Sequence, residues 1–360
     1  MSPNRLFAIV VKELRQLGRD KLTFGMILGI PAIQLLLFGF AINMDIRNID
    51  AAFVDEARTA HSREIVATLE ATGLLAPQAP VRTPQELQEL IRQGRINIGI
   101  VIPADLEKRL ATRDRPAVQV MVDGSEQTVQ AAARQIAMAP LPGVPATYQG
   151  FEVVNFYNPG RSAPLNTVPG LIGVILTMTL VMFTGIALVR ERERGNMEML
   201  IATPVSPWEL TVGKVLPFVG IGLLQVTVVL LLGRWVFAVP VRGLLVEVYG
   251  AALLFIIASL ALGILISTLA KSQFQSMQMA FFVFLPQILL SGFIFPFAGM
   301  PKAAQWLAEI LPMTHFVRLI RAVMVRGAHL SELSNDMLAL AAIAVVLLVL
   351  STRRITKRLD

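Results

Sequence analysis

Arg190-Glu-Arg-Glu-Arg-Gly-Asn-Met-Glu198, continued by Met-Leu-Ile-Ala-Thr203-Pro204-Val-Ser206-Pro207, is a dense polar run set between two long apolar stretches. The flanks, Thr167–Val189 and Val215–Gly233, contain no Asp, Glu, Lys, Arg or His. Each approaches the roughly 20 apolar residues that a helix needs to cross a bilayer. The contrast predicts a membrane protein with a conspicuous polar loop between two spans. Both charge signs, a glycine and the makings of a short helix suit that loop to docking on a soluble partner.

Working outward, four more charge-free stretches qualify or nearly qualify as spans: Leu22–Met44, Val248–Ala270, Ser272–Pro301 and Met337–Thr352. One central charge costs about 2.5–3.5 kcal/mol on insertion, so clean stretches are a strong signal. The last is short and begins nearer Ser334 if Asp336 snorkels. The end of the fifth, Phe295-Pro-Phe-Ala-Gly-Met-Pro301, reads as a re-entrant or interfacial turn within 295–334. Composition agrees: 54% of the 360 residues are hydrophobic and 16% charged, and the mean hydropathy is +0.63. Soluble domains average about a quarter charged residues.

The net charge of +7 is not a nucleic-acid signature, because the basic residues sit beside apolar spans rather than on a soluble module. They set the topology instead. Arg5, Lys12, Arg15, Arg19 and Lys21 precede the first span, and Arg353, Arg354, Lys357 and Arg358 follow the last. Arg190, Arg192, Arg194 and Lys214 flank the polar loop, and Lys271 marks a tight link between spans four and five. The positive-inside rule puts all of these, and both termini, in the cytoplasm. Arg318, Arg321 and Arg326 fall on the outer side and count against this simple scheme. They are expected along an interfacial helix, His315–Arg326, with Phe316, Leu319, Ile320 and Val323 toward lipid.

The organisation that follows has five parts. Residues 1–21 form a cytoplasmic amphipathic leader that meets membrane lipid, and 22–44 the first transmembrane helix. Residues 45–166 form an extracytoplasmic α/β domain. Spans two to six occupy 167–352, with the polar loop at 190–214, and 353–360 is a basic cytoplasmic tail. Gly39-Phe-Ala41 faintly resembles a cleavage site, but the apolar region before it is too long for a signal peptide. The chain has no cysteine, which excludes structural disulfides and thiolate metal sites.

Within 45–166, Ile49–Val54, Ile96–Ile102 and Val118–Val122 read as strands. Thr83-Pro84 opens a helix that Gly94 ends, and Pro103 begins another. Asp123-Gly124 makes a turn, and Ser125 is expected to cap the following helix. No catalytic constellation emerges: His61 stands apart from His315 and His329, and no hydrolase, metalloprotease or nucleotide-binding motif occurs. The phosphate-cradling Gly-x-x-x-x-Gly-Lys-Ser/Thr loop is absent. Uphill movement of a substrate would then draw on an ion gradient or a partner ATPase, and the clean spans argue against a gradient.

The stretch Arg190 to Lys214 resembles the corresponding loop of ABC-2-type transporter permeases, which carry acidic-x-acidic-x-Gly-Thr-x-Glu, then Leu, Thr-Pro and Gly-Lys. Lys12-Glu13, Asn158-Pro159, Pro169-Gly170 and Leu311-Pro312 agree, as do Ile100-Val-Ile-Pro103 and Val122-Asp-Gly-Ser125. The likeness covers nearly the whole chain and departs at Asn196, where threonine is usual. It implies six transmembrane helices of type V exporter-like architecture, a second copy or a paralogous permease, and a separate ABC ATPase that binds the ATP. It implies no catalysis and no cofactor for this chain. The setting it implies is the bacterial inner membrane, with a periplasmic adaptor as a further conceivable partner. Arg190, Glu191, Glu193, Gly195, Glu198, Thr203 and Pro204 occupy the family's ATPase-coupling positions. Gly25-x-x-x-Gly29 permits close helix approach and is a candidate dimer seam. Gln34, Gln225, Gln278 and Gln287 could line a path or bond between helices. A gradient-driven carrier and a membrane-anchored assembly or sensor protein remain alternative readings.

Overall fold

A computed structural model describes residues 48–78, 81–142, 144–145, 148–160, 162–193, 207–295 and 297–356. The leader, the first predicted span with Gly25, Gly29 and Gln34, and the loop positions Gly195, Glu198, Thr203 and Pro204 lie outside these residues.

The first part is a five-stranded mixed sheet. Its strands are β1 Ile49–Asp55, β2 Leu75–Pro77, β3 Ile98–Ile102, β4 Val118–Asp123 and β5 Phe151–Phe156, in spatial order β2-β1-β3-β4-β5. All pairs are parallel except β3–β4. The helices between them are α1 Ala60–Ala71, α2 Pro84–Arg92, α3 Leu106–Thr112 and α4 Gln127–Ala137. Every residue of β3 is buried, as expected of a strand covered on both faces. One face packs Ile98, Ile100 and Ile102 with Ile65 of α1, Leu106 of α3 and Ile136 of α4. The other packs Val54 and Val101 with Leu87 and Ile91 of α2.

Local chemistry accounts for several element ends. Thr59 and Ser62 form a reciprocal capping box at α1. The Thr83 hydroxyl accepts from the Glu86 N–H (3.2 Å) at α2, with Pro84 in the first turn. Gly94 follows α2 at φ +69°, a conformation that favours glycine. Three expectations are corrected. The third helix starts at Leu106 and not at Pro103, after a turn through Asp105. The central strand starts at Ile98 rather than Ile96. Ser125 caps nothing: Glu126 stands at the α4 N-cap without a side-chain cap bond, while the Ser125 N–H is taken by Asp123 Oδ1 at 2.9 Å.

The second part is helical. Asn158 leads into it by bonding Ser162 twice, Oδ1 accepting from its N–H (2.7 Å) and Nδ2 donating to its carbonyl (3.0 Å). Then follow α5 Ala163–Leu176, a π-helical turn Thr177–Val181, α6 Met182–Glu193, α7 Pro207–Trp235, α8 Leu245–Leu269 and α9 Gln273–Leu290. α10 Lys302–Glu309, α11 Pro312–Arg321, a second π turn Ala322–Arg326 and α12 Ser334–Thr356 complete it. Among the described residues four helices are long and apolar enough to cross a membrane: Ala163–Glu193, Leu216–Trp235, Leu245–Leu269 and Leu330–Arg354. α9 ends at Leu290, a few residues before the turn expected from Phe295, because the chain turns at Ser291-Gly292, with Gly292 at φ +79°.

α8 is the hub, touching α6, α7, α9, α11 and α12. Its Phe255 stacks on Phe316 of α11 with ring centroids 4.3 Å apart. This corrects the interfacial-helix expectation. Phe316, Leu319, Ile320 and Val323 are all fully buried in the same core as Phe255 and Ile172. The apolar side predicted to meet lipid meets protein instead.

Candidate functional site

Two places in the fold join elements that lie far apart in sequence. The first is the end of α6, where the polar run begins. Arg192 Nη1 donates to the Ala270 carbonyl (3.2 Å) and Nη2 to the Ser267 carbonyl (3.1 Å). Both carbonyls belong to the C-terminal end of α8, where unpaired C=O groups and the helix dipole favour a cation. Next to it, Glu193 Oε1 accepts from the Gln273 backbone N–H (3.0 Å) and Oε2 from its side-chain amide (2.5 Å). Gln273 opens α9, so this carboxylate sits at a helix N-terminus, the favourable place for an anion. Adjacent residues of one helix thus grip both sides of the short α8–α9 link. The start of the polar run is bonded to two further helices.

Of the predicted coupling residues, Arg190 and Glu193 are exposed at this helix end and Glu191 is half-buried. The structure brings Glu193 to Gln273. Arg192, assigned only a topological role from sequence, proves to be its structural companion. The signal for it was the Lys271 link, which marked where a helix terminus would lie.

The second place is where the sheet meets the ends of α5, α9 and α11. Arg326, 10% exposed, donates from Nη1 to Oδ2 of the fully buried Asp123 (3.1 Å), bridging 203 residues of sequence. A Cβ at Gly94 would lie 2.5 Å from the same guanidinium, so glycine leaves the space this arginine occupies. Arg92 reaches Glu332 (3.0 Å) while also pairing with Glu89. That guanidinium holds the Glu89 carboxyl down to about 2. Arg318 lies between Glu309 (2.6 Å) and Asp336 (3.3 Å). Arg318 and Arg326, two of the three basic residues that counted against the positive-inside scheme, thus have carboxylate partners within the protein.

His315 of α11 completes the network. Its Nε2 lies 2.9 Å from the Glu309 carbonyl and Nδ1 2.8 Å from Asp336 Oδ1. A carbonyl only accepts, and that carboxylate also accepts from Arg318, so both ring nitrogens are assigned as donors and the ring as imidazolium. Burial works against the charge, but the Asp336 bond and the Glu309 carbonyl outweigh it and raise the pKa. His61 also has a partner, Glu107 at 2.9 Å, in an exposed pair. Thr179 donates to Gln225 Oε1 (2.9 Å), tying α7 to the π turn. Both amide atoms of Gln287 and the Gln278 carbonyl oxygen are buried without partners.

Between sheet and helices lies a cavity of about 350 Å³, with Asn97, Ser125, Glu126, Ser291 and Arg321 among its lining residues.

The sequence profile of "ABC-2 family transporter protein" matches residues 21–353. The chain belongs to the ABC-2 transporter family. Among its relatives is the Escherichia coli K12 protein described as "Probable multidrug ABC transporter permease YbhS", 30% identical over 383 aligned positions covering 100% of this chain and 99% of that one. The E. coli K12 protein described as "Probable multidrug ABC transporter permease YbhR" is 29% identical, covering 94% of this chain and 95% of the other. "ABC transporter G family member 20" of Dictyostelium discoideum is 23% identical over 90% of this chain but 46% of its own length. Family membership implies an ABC ATPase as partner and a multi-pass membrane protein.

Proposed function

We propose that this chain is the permease subunit of an ABC exporter, moving a hydrophobic or amphipathic substrate out of the cytoplasm or inner leaflet. ATP is bound and hydrolysed by a separate subunit. The observation that carries the reading is the double grip of Arg192 and Glu193 on the α8–α9 link. It gives a loop pushed by a partner a rigid route into three membrane helices. The rest of the polar run, Arg190, Glu191, Gly195, Glu198, Thr203 and Pro204, forms the docking surface, where charge selects the partner.

Six spans follow if residues 22–44 and α9 cross alongside the four long helices, with both termini in the cytoplasm. The sheet domain then stands outside, free to engage an adaptor. A second permease, identical or paralogous, completes the pore, and Gly25 and Gly29 are its candidate seam. Trp306, exposed on α10, and Ile310, exposed just after it, suit an outer interfacial level, where indole rings settle. The relatives' multidrug designation favours drug-like amphiphiles as cargo.

The test is co-purification with the cognate ATPase and permease-stimulated ATP hydrolysis in proteoliposomes. Glu193→Lys with Glu198→Lys should abolish both. Retention of both by that variant, or transport without any ATPase, would overturn the reading.

A further inference from the structure

Arg321 and Glu126 line the same space, and among the described residues neither forms an ion pair. The 350 Å³ cavity adjoins a second of about 220 Å³; Glu126, Gly292 and Arg321 line both, and Phe293, Ile294 and Phe295 line the smaller one. Arg321 Nη1 donates to the Gly292 carbonyl (3.0 Å), while its Nε is buried without a partner. Burial pulls its pKa below the ordinary arginine value, yet a guanidinium keeps its proton in proteins. Among the described residues no carboxylate lies within 4.0 Å of it. The other two arginines lining the larger cavity, Arg318 and Arg326, are committed to Glu309, Asp336 and Asp123.

The acids divide in the same way. Asp336 is held by His315 and Arg318, and Asp50 Oδ1 accepts from Gln78 Nε2 (2.8 Å). Among the described residues no hydrogen bond or ion pair involves the Glu126 side chain, and it is half-buried. A part-buried charge left without a partner is costly. Here one cation and one anion, from different halves of the molecule, share one polar cleft, and the Glu126 charge acts on Arg321 through space without an ion pair between them. An anionic ligand alone would meet Glu126, and a cationic one alone would meet Arg321. A ligand carrying both charges satisfies both, and an apolar segment beside them would lie on Phe293–Phe295.

We propose that these joined cavities bind the headgroup of a zwitterionic amphiphile, its anionic group on Arg321 and its amine on Glu126. The site lies at the first turn of α5, represented by Asn166 and Thr167, and beyond the last turn of α9. That is the level at which a lipid headgroup or a departing amphipathic cargo would stand. The claim is independent of the ATPase reading, since it concerns the permease alone.

Isothermal titration of the purified full-length permease tests it, with dihexanoyl phosphatidylethanolamine, dihexanoyl phosphatidylglycerol and free phosphoethanolamine as probes. The ethanolamine lipid should bind about tenfold or more tightly than the glycerol lipid, the scale of one charge-assisted hydrogen bond. Arg321→Gln should weaken both lipids by a similar factor. Because Arg321 also holds Gly292, Glu126→Gln is the cleaner variant: it breaks no bond and should erase or invert the preference. Phosphoethanolamine binding as tightly as the lipid assigns a soluble zwitterion, and much weaker binding assigns a lipid. Equal binding of the two lipids, an unchanged preference in Glu126→Gln, or no binding of any probe overturns the proposal.

Discussion

Replacing Arg326 by methionine should free the sheet domain from the helical part, and the size of the effect can be worked from the ion pair itself. Asp123 is 0% exposed and Arg326 10%, at 3.1 Å. At an effective dielectric near 20 the gross attraction is about 5 kcal/mol. Much of that only offsets the desolvation of two charges, so the pair's net worth is small. Removing one partner is different, because the other stays buried, at a cost of roughly 3–5 kcal/mol. Arg326→Met belongs at the lower end, since Asp123 keeps the Ser125 N–H (2.9 Å). Asp123→Asn belongs at the upper end, since the Arg326 Nε already lacks a partner. The double variant removes both charges and should recover most of the loss.

Hydrogen exchange of the whole permease reads this locally. The N–H groups of Gly94, Asn97 and Gly124, bonded to Ile91, Asp50 and Phe156 carbonyls respectively, report opening at the junction. A loss of about 3 kcal/mol speeds their exchange about a hundredfold in Arg326→Met. The double variant should exchange far more slowly than either single one. If Arg326→Met exchanges within a factor of about three of the parent, or the double variant is no slower than the singles, the reasoning fails.

Three further outcomes follow from the same geometry. Because the folded-state pKa of His315 is raised, its stabilisation is complete below the ordinary imidazole value of about 6.5 and lost as pH rises through the folded value. The melting temperature should therefore fall as pH rises above the ordinary imidazole value and through the raised folded one, and His315→Gln should flatten that slope; an unchanged slope counts against the imidazolium assignment. Gly94→Ala, forced to φ +69° with a Cβ 2.5 Å from Arg326, should destabilise by about 1 kcal/mol or more and loosen the same junction amides; wild-type exchange there would contradict the packing. Glu193→Gln, which keeps a weaker acceptor on Gln273, should leave ATPase co-purification intact but lower permease-stimulated hydrolysis, and loss of binding instead would place Glu193 on the docking surface.

The long helices were legible because a bilayer demands clean apolar length, which Thr167–Val189 and Val248–Ala270 display without ambiguity. Three strands were legible from alternation and β-branched content, whereas β2 and β5 were not: Leu75–Pro77 is held by pairing with β1 and Phe151–Phe156 by pairing with β4. The α11 helix shows the limit more sharply. Its Phe316, Leu319, Ile320 and Val323 stripe is equally correct for a lipid surface or a protein groove, and only α8's placement of Phe255 decides between them. Arg318, Arg321 and Arg326 registered as an anomaly from sequence alone. The partner of Arg326 is Asp123, 203 residues away, and no local pattern carries such a pairing. At the polar loop the sequence marked the right region. It could not show that Glu193 turns inward to the start of α9 while Arg192 beside it binds the end of α8.

The account rests on the loop after α6 facing the cytoplasm while the sheet domain stands outside, and the absence of native cysteine makes that directly measurable. Single-cysteine variants Arg190→Cys and Ala67→Cys, both at exposed positions, are treated in intact spheroplasts with a membrane-impermeant maleimide. The account predicts that A67C is labelled at once, and that R190C is labelled only after permeabilisation and is shielded when the ATPase is bound. Labelling of R190C in sealed spheroplasts would contradict it.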